Sequence, residues 1–183
     1  MALKNFPYKN IDVILKKYID DYECSYTEYL FHKIKNAIKR GYLTKDEFIL
    51  ICNWKSARSF QKIKINSDSE IKLVTQLAIN SKDEKIIITE LKTLYGVSTA
   101  MASAILMFIN PNKYPVIDIR VWQVLYELKL VNGNDSGKSL TTNDWLIFLE
   151  IIRKKAKEYN ITARKVEKAI FLSHKIYQDG NLY

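Results

Sequence analysis

The chain has 183 residues, the length of one compact domain or of two small lobes sharing a core, and at that size it can fold without metal or disulfide staples. Hydrophobic residues at 48% and charged residues at 27% exclude bulk disorder, and 5 Gly with 3 Pro are too few for a glycine-turned β-sandwich or a collagen-like array. Lys and Arg number 29 against 20 Asp and Glu, a formal net charge of +9 that suits a polyanion, with nucleic acid ahead of a membrane surface; the plain alternative is a chain rich in Lys, Ile and Asn throughout.

Residues 10–23 carry Ile11, Ile14, Leu15, Tyr18 and Ile19 at helical spacing. Ser25 with Glu28 has the pattern of a capping box, and Tyr26, Leu30, Phe31, Ile34 and Ile38 follow as one face until Gly41. The same start signal recurs at Thr44/Glu47, Ser67/Glu70 and Ser81/Glu84, which predicts several short helices joined by short loops. Two stretches are ambiguous. Phe48 to Cys52 also suits a buried strand, and Lys62 to Ile65 alternates as an edge strand does. With no partner strands evident, both are expected to be helical or irregular. A helix from about residue 118 to Leu130 leads into the polar loop 132–139, and helices near 142–159 and 162–178 follow. Trp145, Phe148, Leu149 and Ile152 mark the inner face of one, and Val166, Ala169, Ile170 and Tyr177 that of the other. Gly137-Lys138-Ser139 is no phosphate loop, because Gly133 is one residue too close and no strand launches it. The predicted class is all-α.

No apolar run approaches the ~18 residues of a membrane span, and the opening Met1-Ala2-Leu3-Lys4-Asn5-Phe6-Pro7 lacks the apolar stretch of a signal peptide. Cys24 and Cys52 are too few for a cysteine-ligated iron–sulfur or zinc site, and both read as reduced, buried thiols. The expected compartment is the cytoplasm, in association with the nucleoid if the source is prokaryotic, with no membrane partner. His32 and His174 are far apart and form no metal-ligand pattern. No metal and no cofactor are expected.

Residues 83–128 carry the most information. Leu91, Leu94, Gly96, Val97, Ala102, Ile105 and Leu106 outline two helices joined by a very tight turn. Gly96 permits a positive φ, and Val97 plugs between the helices. Ala100, Ala102 and Ala104 keep the second helix slim, and Ser98 or Thr99 can cap it. The first backbone N–H groups of that helix then form a seat for a phosphate oxygen, one that grips a backbone without reading sequence.

With Pro115-Val116-Ile117-Asp118 following, this pattern resembles the helix-hairpin-helix DNA glycosylase superfamily of endonuclease III, adenine glycosylase and oxoguanine glycosylase, over roughly a quarter of the chain. The resemblance implies that Asp118 matches the family's catalytic carboxylate. It implies two helical lobes around a cleft: residues 25–112 ending in the helix-hairpin-helix, and residues 1–24 plus 113–183. The departures are specific. Tyr95 and Ser98 stand where the family usually has a proline and a second turn glycine, Ala100 stands where bifunctional members carry a lysine, and the four-cysteine cluster of some relatives is missing. Without that amine no Schiff base forms with the sugar, so an enzyme of this kind would be a hydrolase without lyase activity.

Breaking an N-glycosidic bond develops positive charge on the sugar, which a carboxylate in a dry site stabilises while orienting water. Asp118 suits that role and equally suits a helix N-cap. A base out of the stack needs aromatic walls and a few polar reporters. Trp54, Lys55, Arg58 and Trp122 have that chemistry, with core anchoring and solvated cations as the alternative. Gly96, Val97, Ser98, Thr99, Lys113 and Arg120 are the candidate DNA contacts. The expected function is removal of a modified or mispaired base from double-stranded DNA by a monomeric, monofunctional glycosylase. The alternatives are a non-catalytic helix-hairpin-helix DNA-binding protein and a helical protein-interaction domain whose basic charge is incidental.

Overall fold

The computed structural model describes Leu3 and residues 5–178, and every regular element among them is helical. No helix of the described residues is long and apolar enough to cross a membrane. The chain divides into two compact units, residues 23–111 and residues 1–22 with 112–183.

The 23–111 unit contains α2 (Ser25–Arg40), α3 (Lys45–Ser56), a 3₁₀ turn (Ala57–Ser59), the short α4 (Phe60–Ile63), α5 (Asp68–Asn80), α6 (Glu84–Leu91) and α7 (Thr99–Ile109). Helix α7 carries no charge, and all of its residues except Ala100 are buried. A helix apolar on every side has to be enclosed, and α2, α3 and α6 pack against it. An aromatic seam joins three of these elements. Phe108 of α7 lies 5.0 Å from Phe31 of α2 and meets Trp54 of α3 edge-on at 5.1 Å. The Trp54 indole N–H donates to Thr27 Oγ1 at 2.9 Å. Behind them, Leu43 N–H donates to the buried Thr75 hydroxyl of α5 at 3.0 Å, and Arg40 pairs with Glu47.

The second unit joins α1 (Ile11–Tyr18) to α8 (Ile119–Glu127), α9 (Thr142–Tyr159) and α10 (Ala163–Tyr177). Helix α10 is its centre, in contact with α1, α8 and α9. Asp12 of α1 accepts from Lys155 at 2.8 Å and from Tyr159 at 3.0 Å, both on α9. The loop after α8 is polar, as its composition predicts, but it is not loose. Asn134 O accepts from the Trp122 indole at 2.7 Å, and Ser136 O accepts from the Gln123 amide at 2.9 Å. Gly137 has φ +66°, and a Cβ there would lie 3.0 Å from Ile119 O, so the loop backbone lies flat on α8.

Local start signals translate into caps with instructive exceptions. Thr44/Glu47 and Ser67/Glu70 form full capping boxes, and Thr141/Asp144 forms a third in which the shorter Asp stands in for Glu. Ser25/Glu28 forms none: Cys24 is the N-cap, and Ser25 is already the first helical residue. Ser81/Glu84 forms none either. Asp83 caps α6 by accepting from Ile86 N–H at 3.0 Å, while Ser81 accepts from Asp83 N–H at 3.2 Å. Asp is at least as strong a cap as Ser, so the helix starts two residues later. Residues 48–52 lie inside α3, and 62–65 span the end of α4 and the turn after it. On α2 the buried face is Thr27, Leu30, Ile34 and Ala37, while Tyr26 and Ile38 are about half exposed. Of the two cysteines only Cys52 is buried, which pushes its thiol up. Cys24 is exposed, and its thiol is lowered by the Thr27 hydroxyl 3.1 Å away.

Two outcomes follow from this packing. Ala102 is fully buried in α7 whereas Ala100 is half-buried, so Ala102→Leu should lower urea-denaturation stability by about 1–3 kcal/mol, and Ala100→Leu by less than ~0.5 kcal/mol. His174 of α10 is 1% exposed, and burial lowers its pKa from the ordinary 6.5 to about 4, with Arg120 adding to the shift and Asp118 opposing it. The folded protein therefore holds the neutral ring more firmly than the unfolded chain does. Its contribution is complete above pH 6.5 and is lost as pH falls towards 4. Chemical denaturation across that window should show stability falling with acid, and His174→Gln should flatten the slope.

Candidate functional site

Between α6 and α7 the chain reverses within a few residues. Val97 N–H donates to Leu94 O at 3.1 Å, and both side chains are buried beneath the turn. Gly96 has φ +83°, a left-handed conformation that disfavours any side chain. Space excludes one as well: a Cβ at this position would come within 2.7 Å of Lys62 Cβ and 3.3 Å of Ile63 Cδ1. Asn66, 5% exposed, clamps the turn from below. Its Oδ1 accepts from Tyr95 N–H at 2.7 Å, and its Nδ2 donates to Tyr95 O at 3.0 Å and to Ile63 O at 2.8 Å. Nothing in the local sequence pattern marks Asn66, because its partner lies 29 residues away.

Ser98 is the N-cap of α7 and accepts from Met101 N–H at 3.3 Å. Thr99 is 3% exposed, so its side chain belongs to the core while its backbone opens the helix. The first-turn N–H groups have no carbonyl within the helix to bond, and the positive end of the helix dipole lies here. Exposed Lys62 and Lys64 stand on the segment against which the turn rests. Trp54, Lys55 and Arg58 are on α3 and the 3₁₀ turn of this same unit. Trp54 is half-buried with its N–H bonded to Thr27, Lys55 is half-buried, and Arg58 is exposed.

The second unit holds the carboxylate. Val116 and Ile117 are buried and bring the chain to Asp118, which is half-buried and extended in backbone. Asp118 caps α8, Oδ1 accepting from Val121 N–H at 3.1 Å. Beneath it lies Glu167 of α10, 2% exposed, which the sequence pattern does not single out. Glu167 Oε2 accepts from Val116 N–H at 3.3 Å and from Arg164 Nη1 at 2.5 Å. Burial raises the Glu167 carboxyl above its ordinary range, the Asp118 charge adds to that, and Arg164 opposes it. Two turns further along α10, His174 Nε2 lies 2.7 Å from Gln123 Oε1 of α8.

The other predicted residues of this unit are engaged with their neighbours. Arg120 donates to Gln178 Oε1 at 3.0 Å and lies over the Phe171 ring at 5.3 Å. Lys113 is half-buried with its ammonium 4.9 Å from the Tyr114 ring centre, and its carbonyl accepts from Arg153 at 2.9 Å. Trp122 is 1% exposed with its indole N–H on Asn134 O, so its faces are packed and not open to a base. Gly96, Val97, Ser98 and Thr99 thus share one turn, and Asp118 and Arg120 share one helix start. No protein-family model, no curated protein and no solved structure matches this chain.

Proposed function

We propose that this protein binds double-stranded DNA through a helix-hairpin-helix formed by α6, the Gly96 turn and α7, and hydrolytically removes a modified or mispaired base with Asp118. The observation that carries this reading is the Gly96 turn. Left-handed backbone, steric exclusion of a side chain and a serine cap together fix the amide end of a buried helix beside the exposed Ser98 and half-buried Ala100. Such an end favours a phosphate oxygen, and the net charge of +9 favours the polymer that carries it. Asp118 supports the chemical half. Its carboxylate is oriented by the α8 cap, and its neighbour Glu167 is pushed towards the neutral acid by burial. A fixed carboxylate there stabilises the oxocarbenium-like sugar and positions water. Ala100 supplies no amine, so the product is an intact abasic strand. A non-catalytic DNA-binding protein is the second reading, favoured by the fact that the Asp118 side chain already serves as a helix cap.

If the turn holds the backbone, duplex affinity falls steeply with added salt and varies little with sequence. Gly96→Val should weaken binding to every duplex by at least about tenfold, since it meets both the φ and the Lys62 contact. Fluorescence anisotropy on a salt series checks this, and salt-independent or absent binding by the intact protein sinks both readings.

Asp118→Asn keeps the cap acceptor and removes the charge. Over a panel of single-lesion duplexes, abasic-site formation should drop by about a hundredfold or more while affinity holds or rises. Strand cutting should need alkali or heat, and borohydride should trap no adduct. Tight binding with no excision from any lesion favours the second reading.

A further inference from the structure

The outer face of α2 breaks a local rule. Solvent-facing helix positions favour Lys, Glu and Gln, which have better helix propensity than Tyr and expose no ring. Yet Tyr26 is 47% exposed and Tyr29 is 48% exposed. The two rings lie nearly parallel, 15° apart with centroids at 6.2 Å, and the Lys33 ammonium sits 5.5 Å over Tyr29. Tyr26, Tyr29 and Lys33 follow the i, i+3, i+7 spacing of one helical stripe. Lys35 and Lys39 are exposed on the same helix, whose only carboxylate is Glu28. The adjacent stripe of Thr27, Leu30, Ile34 and Ala37 is wholly buried, and the tyrosines at its edge keep about half of their surface in solvent. Two open rings continued by the Lys33 ammonium match a strand that exposes its base faces beside its phosphates. A duplex offers the phosphates but keeps its base faces stacked inside.

We propose that the Tyr26–Tyr29 face of α2 is a docking surface for single-stranded nucleic acid, whose unpaired bases stack on the two rings while Lys33 meets its phosphates. This surface is separate from the Gly96 turn and does not depend on any activity of Asp118.

The test is anisotropy with a labelled oligothymidylate of about 15 nucleotides, beside a duplex of the same length, at low and moderate salt. Tyr26→Ala/Tyr29→Ala should weaken single-strand binding by about ten- to a hundredfold and leave duplex binding within about twofold. Tyr26→Phe/Tyr29→Phe, which keeps the rings, should bind the single strand like the unaltered protein. Lys33→Gln should shallow the single-strand salt slope by about 0.7. Alanine is a better helix former than tyrosine, and far-UV circular dichroism verifies that α2 persists. Unchanged single-strand affinity in the alanine variant overturns the proposal, as does failure of the unaltered protein to bind the oligothymidylate at low salt. Self-association that disappears in the alanine variant also overturns it, assigning the face to a second copy of the chain. Loss of duplex binding in Gly96→Val with single-strand binding retained separates this face from the hairpin.

Discussion

Helix α7 has no polar side, and the 23–111 unit is organised by the need to bury it. Enclosure from several directions uses up the apolar stripes of α2, α3 and α6. Close approach requires small side chains, which Ala102 and Ala104 provide. Helices α6 and α7 also pack against each other, and only the short segment 92–98 joins them. The left-handed glycine, the buried Leu94 and Val97 and the Asn66 clamp are all consequences of that short connection. The polar end of α7 is thereby held on a rigid base, which distinguishes it from a helix start on a mobile loop.

In the other unit the corresponding constraint is polar. Helix α10 buries Glu167 and His174 in its inner face, and buried polar groups without partners cost about 1–3 kcal/mol each. The partners come from the loop before α8 and from α8 itself: Val116 N–H for Glu167 and Gln123 for His174. Pairing Glu167 therefore ties down the segment that carries Asp118, while the buried His174 Nδ1 has no hydrogen-bond partner. Breaking a buried ionic set by removing one member leaves the rest stranded, so the orientation of the carboxylate is protected by groups that never touch solvent. Cap and proposed catalyst are compatible for the same reason. The Val121 N–H that donates to the capping Asp118 also aims the carboxylate, and the helix dipole favours its negative charge.

The helical class was legible because its signals are local. Thr44/Glu47 and Ser67/Glu70 act within one turn, and Gly96 announces a left-handed residue by its chemistry alone. Local competition explains the shifted starts, where Asp83 displaces Ser81 and where Cys24 precedes a Ser25 that is already helical. Longer-range tethers were not legible. Asn66 to Tyr95, Glu167 to Val116 and Trp122 to Asn134 join residues whose pairing depends on how helices pack, and no spacing rule encodes that. Periodicity also misassigned Tyr26 and Ile38, because it records where apolar residues recur and not which of two adjacent stripes the core takes. Trp122 shows the converse: an aromatic beside a candidate carboxylate reads as a wall for a base, whereas its N–H is bonded to the polar loop 132–139 and its ring is buried.

The exposed tyrosines and the Gly96 turn belong to one unit, and α7 connects them. Its N-terminus follows the Gly96 turn, and its flank packs against α2. The separation between the two proposed nucleic-acid surfaces is therefore set by core packing and not by a linker. The amide end of a helix holds a phosphate of any strand, whereas stacking on a ring requires a base that has left its neighbours. Fully paired DNA satisfies the first demand alone, whereas a strand with unpaired bases satisfies both. DNA that is paired on one side and opened on the other satisfies both, and removal of a base requires that opening. Taken together, the two proposals make the distance between a backbone grip and a stacking face, set by the packing of α7 on α2, a ruler that would favour locally opened duplex over intact DNA.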